Sequence, residues 1–356
     1  HQPPTIMKYT DIRTSILAQF SVPGGNEIVP FILGAPGGGK SACARDVARQ
    51  ILADHGLDFI EYDSAKDNVD DATVVEFNAS LRDPVDVLGL PVTDGQYARW
   101  TPPAEFYALR AGRGPRVLIL EELSDAPVPM QNALCRVIYD RHAGQLALTD
   151  QLYIIATGNR TEDKSGANRI TSKLAGRTRR FDFTENVDDW TEWALDNNID
   201  PVLIQFLRFR PNLLSDFDPN RFANPTPRTW EKVSRIPANL PEQLYYDNIA
   251  GDVGEGAAAE YTGFRRIYNS LPSIDGVLLD PKGSDVPTDP ATLYALTGAL
   301  ARKATKDNFD RVATYLARLA PEFNVMAVRD AIRLVPEIKL TRAFTEWAIK
   351  HSAVLM

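Results

Sequence analysis

One stretch of the sequence has the residue types and spacing that phosphate chemistry requires. Gly34-Ala35-Pro36-Gly37-Gly38-Gly39-Lys40-Ser41 satisfies the pattern G-x-x-x-x-G-K-[ST] at every required position. Glycines in such a loop let backbone N–H groups turn inward around phosphate oxygens, and the helix that follows adds its positive end. A lysine at position 40 reaches the terminal phosphates, and the Ser41 hydroxyl serves Mg2+. Ala42 continues the helix behind them and is counted with the same cradle. By average composition, a chance match somewhere in a chain of 356 residues has odds of roughly one in a hundred. The expectation is a site for a nucleoside triphosphate and Mg2+.

Four further groups could complete such a site. Val117-Leu118-Ile119-Leu120 ends in Glu121-Glu122, so a buried strand would deliver two acids to its carboxyl end. One would hold the metal and its waters, and the other would polarise an attacking water. Tyr153 to Thr157 is a third apolar run and leads to Gly158-Asn159, where Asn159 either faces the γ-phosphate or is a simple turn residue. Arg169, Lys173, Arg177, Arg179 and Arg180 place five cations in twelve residues with no acid among them. That cluster reads as a solvated face, as a nucleic-acid patch, or as the source of an arginine that neutralises γ-phosphate charge in a neighbouring subunit. Arg228 opens a helix at Pro225-Thr226-Pro227-Arg228-Thr229-Trp230. A cation in a first helical turn opposes the helix dipole, which points to an external anion.

The elements that must position these groups follow from hydrophobic period. Tyr9, Ile12, Ile16 and Phe20 predict an amphipathic helix, and Val29–Leu33 predicts a buried strand before the glycine loop. Ala42, Ala44, Val47, Ala48 and Ile51 predict the helix after it, which makes strand, glycine loop and helix the opening of a parallel α/β unit. Further strands are expected at Thr73–Phe77, Val117–Leu120 and Leu152–Ala156, with a helix at Met130–Tyr139. A doubly wound parallel sheet is the economical solution. After Phe183 the strand signal ends. Helical segments broken by prolines follow, then a Pro-, Asp-, Gly- and Ser-rich stretch from Leu271 to Pro290 that reads as a linker, then three amphipathic helices.

Composition narrows the class. Hydrophobic residues make up 44% and charged residues 24%, enough for a real core. The formal net charge of −8 argues against a chain whose main work is coating nucleic acid. No apolar run approaches the ~20 residues of a membrane span, and no signal peptide is visible at the start. Two cysteines, Cys43 and Cys135, make no disulfide framework and fit a reducing, cytoplasmic setting. Four histidines show no metal-ligand spacing. His1 to Ile6 read as a tag remnant and are set outside the fold.

Taken together, the motifs resemble those of the MoxR-type ATPases of the AAA+ superfamily, and more narrowly the MoxR-like ATPases of phage and bacterial genomes. The resemblance covers most of the chain. Besides the phosphate loop it includes Gly89-Leu90-Pro91 to Trp100-Thr101-Pro102-Pro103, which looks like the family's inserted hairpin, Gln131-Asn132-Ala133-Leu134, and Thr226 to Trp230. It implies an α/β P-loop core at 7–184 with a parallel sheet, an α-helical lid at 185–272, and a linker and helical C-terminal extension at 273–356. It also implies ATP and Mg2+ as ligands, held between subunits of a homo-oligomeric ring, usually a hexamer. Lys40 and Ser41 then match the Walker A roles, Glu121 and Glu122 the Walker B metal and catalytic acids, Asn159 sensor 1, and Arg228 sensor 2. Arg177 falls where the family carries its arginine finger, and Asp86–Gly89 would face the central pore.

Family Walker B motifs usually read Asp-Glu, whereas this chain has Glu121-Glu122. The extra methylene shifts a carboxylate by roughly 1 Å, so binding is expected to survive while turnover is the more sensitive step. An aspartate at position 121 is expected to retain or raise activity. The function implied is an ATP-driven remodeller or chaperone acting on a client or adaptor protein, such as one with a von Willebrand factor A-like domain. Two other classes compete: a nucleic-acid motor or loader, disfavoured by the acidic pore candidates Asp83 and Asp86, and a nucleotide-gated scaffold with little hydrolysis.

Overall fold

A computed structural model describes residues 6–93, 95–161, 168 and 170–351. By contact density the chain divides into two compact units, residues 1–189 with 217–222 and 226–228, and residues 190–216 with 223–225 and 229–356.

The first unit is built on a six-stranded sheet. Its strands are β1 (Ile6–Met7), β2 (Val29–Leu33), β3 (Val74–Asn78), β4 (Arg116–Glu121), β5 (Leu152–Gly158) and β6 (Thr178–Phe183). They lie in the order β1-β6-β2-β5-β4-β3, and every pairing is parallel. A parallel sheet is covered on both faces, so its strands are apolar without alternation, and all five residues of β2 are buried. Alternate side chains enter different cores. Phe31, Leu33, Leu118, Leu120 and Ile154 pack with Met130, Leu134 and Val137 of the helix Val128–Asp140. Ile32, Val117, Ile119 and Ile155 pack instead with Ile12 and Ile16 of the helix Tyr9–Phe20 and with Cys43, Val47 and Ile51 of the helix Lys40–Asp54.

The strand order brings distant sequence together. The chain leaves β2, crosses to β3 at the far edge, and returns through β4 and β5 to pair on one side of β2, while β6 pairs on the other. The carboxyl end of β2 is therefore a topological switch point, where an open α/β sheet leaves a crevice. Leu33, Asn78, Glu121 and Gly158 all end their strands on that side.

Two sheet strands differ from the sequence expectations. β6 lies in what reads as a basic cluster, because Arg179 and Arg180 face outward while Phe181, Asp182 and Phe183 are buried. Ile6, set aside with the tag remnant, pairs with Asp182 in β1. The expected hairpin is present as Leu90–Thr93 paired antiparallel with Ala98–Thr101, and a shorter one joins His142–Ala143 to Leu146–Ala147.

The second unit is helical among its described residues. Phe206 of the helix Pro201–Phe209 packs against Trp230, Tyr261 and Phe264. A second cluster gathers Leu300, Val312, Leu316, Val328 and Trp347. The stretch from Leu271 to Pro290 is more than a linker: it holds the helix Ile274–Leu279, whose Val277 and Leu278 are buried in that cluster. Among the described residues no helix is long and apolar enough to cross a membrane.

Candidate active site

The Gly34–Gly39 loop leaves β2 and enters the helix Lys40–Asp54. Gly37 and Gly39 have φ of +76° and +112°, values that side-chain-bearing residues rarely adopt. At Gly37 a Cβ would also stand 2.9 Å from Thr226 Oγ1. These turns aim the loop around the first amides of the helix, which provide an anion cradle. Lys40 is nearly buried, and its ammonium donates to Gly34 O at 2.9 Å, Ala35 O at 2.7 Å and Asn159 Oδ1 at 3.1 Å. Ala42 lies exposed on the first turn.

Glu121 closes the opposite wall. Its Oε2 accepts from Ser41 Oγ at 2.8 Å and from the Thr157 hydroxyl. Its Oε1 is buried and has no hydrogen-bond partner among the described residues. A buried carboxylate oxygen is costly to leave unmatched. Beside a serine hydroxyl it fits a hard divalent cation that carries its own water shell, as Mg2+ does. Ser41 and Glu121 are thus the residues that would hold the metal.

Glu122 stands beyond the strand with φ of +54°, an uncommon conformation for a residue with a side chain. Its carboxylate accepts from Asn78 Nδ2 at 3.3 Å and from Ser80 Oγ. Asn78 ends β3, the strand beside β4. Asn159 follows β5 and spans the site: its carbonyl faces Lys40, and its Nδ2 donates to Asp125 Oδ2 at 2.6 Å. Burial pushes the Asp125 carboxyl up, and the neighbouring Glu122 charge adds to the rise, against the hydrogen bonds from Asn159 and Ser124 and the charge of Lys40.

The arginines fall in different places. Arg228 N–H donates to Gly37 O at 3.3 Å, so the backbone of this residue touches the phosphate loop. Arg177 is elsewhere. Its carbonyl accepts from Val29 N at 3.0 Å, at the start of β2, which puts it about 16 Å of strand away from the loop at the other end. Its guanidinium lies over the Tyr139 ring, 4.8 Å from the centroid. Arg179 donates to Gln19, Arg180 pairs with Asp182, and Lys173 is exposed. Arg169 lies outside the described residues.

The structure therefore gathers Gly34 to Ser41, Glu121, Glu122, Asn159 and the Arg228 backbone at one sheet end, and leaves Arg177 at the other. Asn78, Ser80, Asp125 and Thr157 belong to the gathering but go unmarked by sequence motifs. The signal available for Asn78 and Thr157 is their place: polar residues at or near the carboxyl end of otherwise apolar strands.

No family model matches the chain, and neither does any curated protein. Solved structures similar to it include mutant forms of RuvB from Thermotoga maritima. One is 13% identical, with 87% of this chain and 86% of that chain covered and a TM-score of 0.38. Another is 12% identical, with 87% of each chain covered and the same TM-score of 0.38. Within this chain, β2 sits between β5 and β6, with the phosphate loop at its carboxyl end and two acids ending β4. The fold is α/β, a parallel sheet with a phosphate-binding loop at the carboxyl end of β2. A helical C-terminal region completes it.

Proposed function

We propose that the protein is a Mg2+-dependent ATPase that hydrolyses ATP to ADP and phosphate as a homo-oligomeric ring, in the manner of the MoxR-type ATPases it resembles, and remodels a partner protein. The observation that carries the ATPase reading is the Ser41–Glu121 pair, 2.8 Å apart, with Glu121 Oε1 buried and unpartnered among the described residues.

Each residue then has a task. The loop amides and Lys40 bind the β- and γ-phosphates. Ser41 and Glu121 would hold Mg2+, which would supply neutralisation of phosphate charge there. Glu122 takes the proton of the attacking water, and Asn159 fixes that water against the γ-phosphate. Arg228 acts as sensor 2. The position of Arg177 at the far end of β2 supports its action on a neighbour, because within its own chain it is too distant to reach the phosphates. A head-to-tail ring satisfies that demand at every interface.

The partner is read from surface chemistry. In the inserted hairpin Leu90, Val92, Tyr97 and Trp100 are exposed at 64%, 55%, 65% and 46%. Apolar surface of this kind favours a polypeptide partner over nucleic acid, in keeping with a client or an adaptor bearing a von Willebrand factor A-like domain. Residues 185–272 serve as the lid and 273–356 as the extension.

Thermal melting tests the reading. Bound ligand stabilises by mass action, so Mg·ATP at one hundred times its Kd should add about 2.7 kcal/mol to the wild type and nothing to Lys40→Ala. An equal shift in both proteins would overturn the assignment of this loop.

A further inference from the structure

We propose that Asp125 is a positioning residue for hydrolysis, clamping the Asn159 amide in the one orientation that serves the γ-phosphate side of the site. The inference rests on the ATPase reading and deepens it.

The clamp is a closed circuit of hydrogen bonds. Asp125 Oδ2 accepts from Asn159 Nδ2 at 2.6 Å. Ser124 Oγ donates to Asp125 Oδ1 at 3.2 Å and accepts from the Asn159 backbone N–H at 2.7 Å. Asn159 is thus held at both its backbone and its side chain by two consecutive residues. Those two residues are themselves pinned. Asp125 N donates to Glu122 O at 2.9 Å, Asn168 N donates to Ser124 O at 2.7 Å, and Asn168 Nδ2 donates to Asp125 O at 3.0 Å.

Chemistry makes the orientation unique. An ionised carboxylate only accepts, and an ammonium only donates. With Asp125 on one side and the Lys40 ammonium 3.1 Å away on the other, the amide must turn its NH2 to the acid and its oxygen to the lysine. Turning it over would set oxygen against oxygen and NH2 against ammonium. When Lys40 engages phosphate, Asp125 still holds one amide N–H and so leaves the second N–H with a fixed direction. A side chain fixed in advance loses no rotamer freedom on reaching the transition state.

The cost of this arrangement argues for its use. Asp125 is a half-buried carboxylate whose acidity is weakened by desolvation and by the nearby Glu122. A neutral residue would fill the turn without that cost.

A double-mutant cycle on the full chain tests the proposal, with ATP turnover and ATP KM as readouts. Asp125→Ala should lower kcat about tenfold with KM nearly unchanged, in line with misplacement of one group in a site. Asp125→Asn, which still offers an oxygen to Nδ2, should restore most of that loss. Asn159→Ala should lower kcat at least as much, and adding Asp125→Ala to it should cost nothing further, because residues that act through one another are not additive. Multiplying losses would overturn the inference, as would an unaltered kcat in Asp125→Ala. Asp125→Ser, polar but too short to reach Nδ2, takes its place in the cycle if the alanine variant does not fold. Absence of turnover in the wild type would instead refute the ATPase reading, so the two failures are distinct.

Discussion

The Ser41 hydroxyl donates to Glu121 Oε2 at 2.8 Å, joining residues 80 positions apart in the chain. The same oxygen accepts from Thr157 on the adjacent strand β5, so the carboxylate is seated by two hydroxyls at once. This seat argues for the opposite of the outcome expected from the usual Asp-Glu motif. A glutamate reaches both hydroxyls, whereas an aspartate would retract by roughly 1 Å or more. Glu121→Asp should therefore raise the Mg2+ concentration needed for half-maximal turnover by about tenfold, a loss close to 1.4 kcal/mol. Unchanged Mg2+ dependence would mean that the seat tolerates either acid.

Glu122 has a different surround, and its loss should look different. Glu122→Gln keeps the shape but cannot take a proton, so ATP affinity should hold while kcat falls by about 100-fold or more. Ser80 and Asn78 hold the carboxylate in place. Ser80→Ala removes one of the two hydrogen bonds that hold this carboxylate and should lower kcat severalfold with ATP KM nearly unchanged. A kcat equal to wild type would leave Ser80 without influence on the base.

How far the sequence reaches depends on whether a feature has a pattern. The phosphate loop, Glu121-Glu122 and Asn159 sit next to apolar runs or glycines and can be read directly. β6 could not, because Arg179 and Arg180 sit in the outer half of a strand whose buried half is only Phe181, Asp182 and Phe183. Asp182 is buried with a charge partner, Arg180, so even the inward half breaks the apolar rule. Ser80 and Asp125 are single polar residues in turns. Nothing in their spacing marks them; strand order alone carries β3 beside β4 and sets Ser80 against Glu122. The left-handed backbone at Glu122 is equally invisible beforehand, since glutamate is no marker of positive φ.

Glu105 supplies a pH test of the first unit's stability. It is 7% exposed, and burial pushes its carboxyl above the ordinary glutamate value of 4.5, more than Arg82 pulls it down. The folded state therefore binds this proton more tightly than the unfolded chain does. Its contribution is fully present below pH 4.5 and is lost as pH rises through the folded value. Glu105→Gln lacks that dependence. Measured by urea unfolding between about pH 4 and 8, the stability of the variant relative to wild type should climb with pH. A flat or falling difference would contradict the burial argument.

The ring itself is tested through Arg177. Its carbonyl pairs at the start of β2 and its guanidinium rests on Tyr139, both remote from its own phosphate loop. If it serves a neighbour, Arg177→Ala should bind ATP normally yet hydrolyse it about 1,000-fold more slowly, because a transition-state charge loses its partner. Lys40→Ala chains are equally inactive but still carry Arg177. Mixing the two under subunit exchange creates interfaces with an intact loop on one side and an intact arginine on the other. In a head-to-tail ring such interfaces form whenever the two variants sit side by side in the right order, so partial turnover should return and peak at intermediate mixing ratios. Mass spectrometry of differently tagged chains establishes that exchange has occurred. With exchange established, turnover that stays flat across all ratios would remove Arg177 from the reaction, and Arg179 would be the next residue to mix, since the side-chain hydrogen bond found for it among the described residues is to the neutral Gln19.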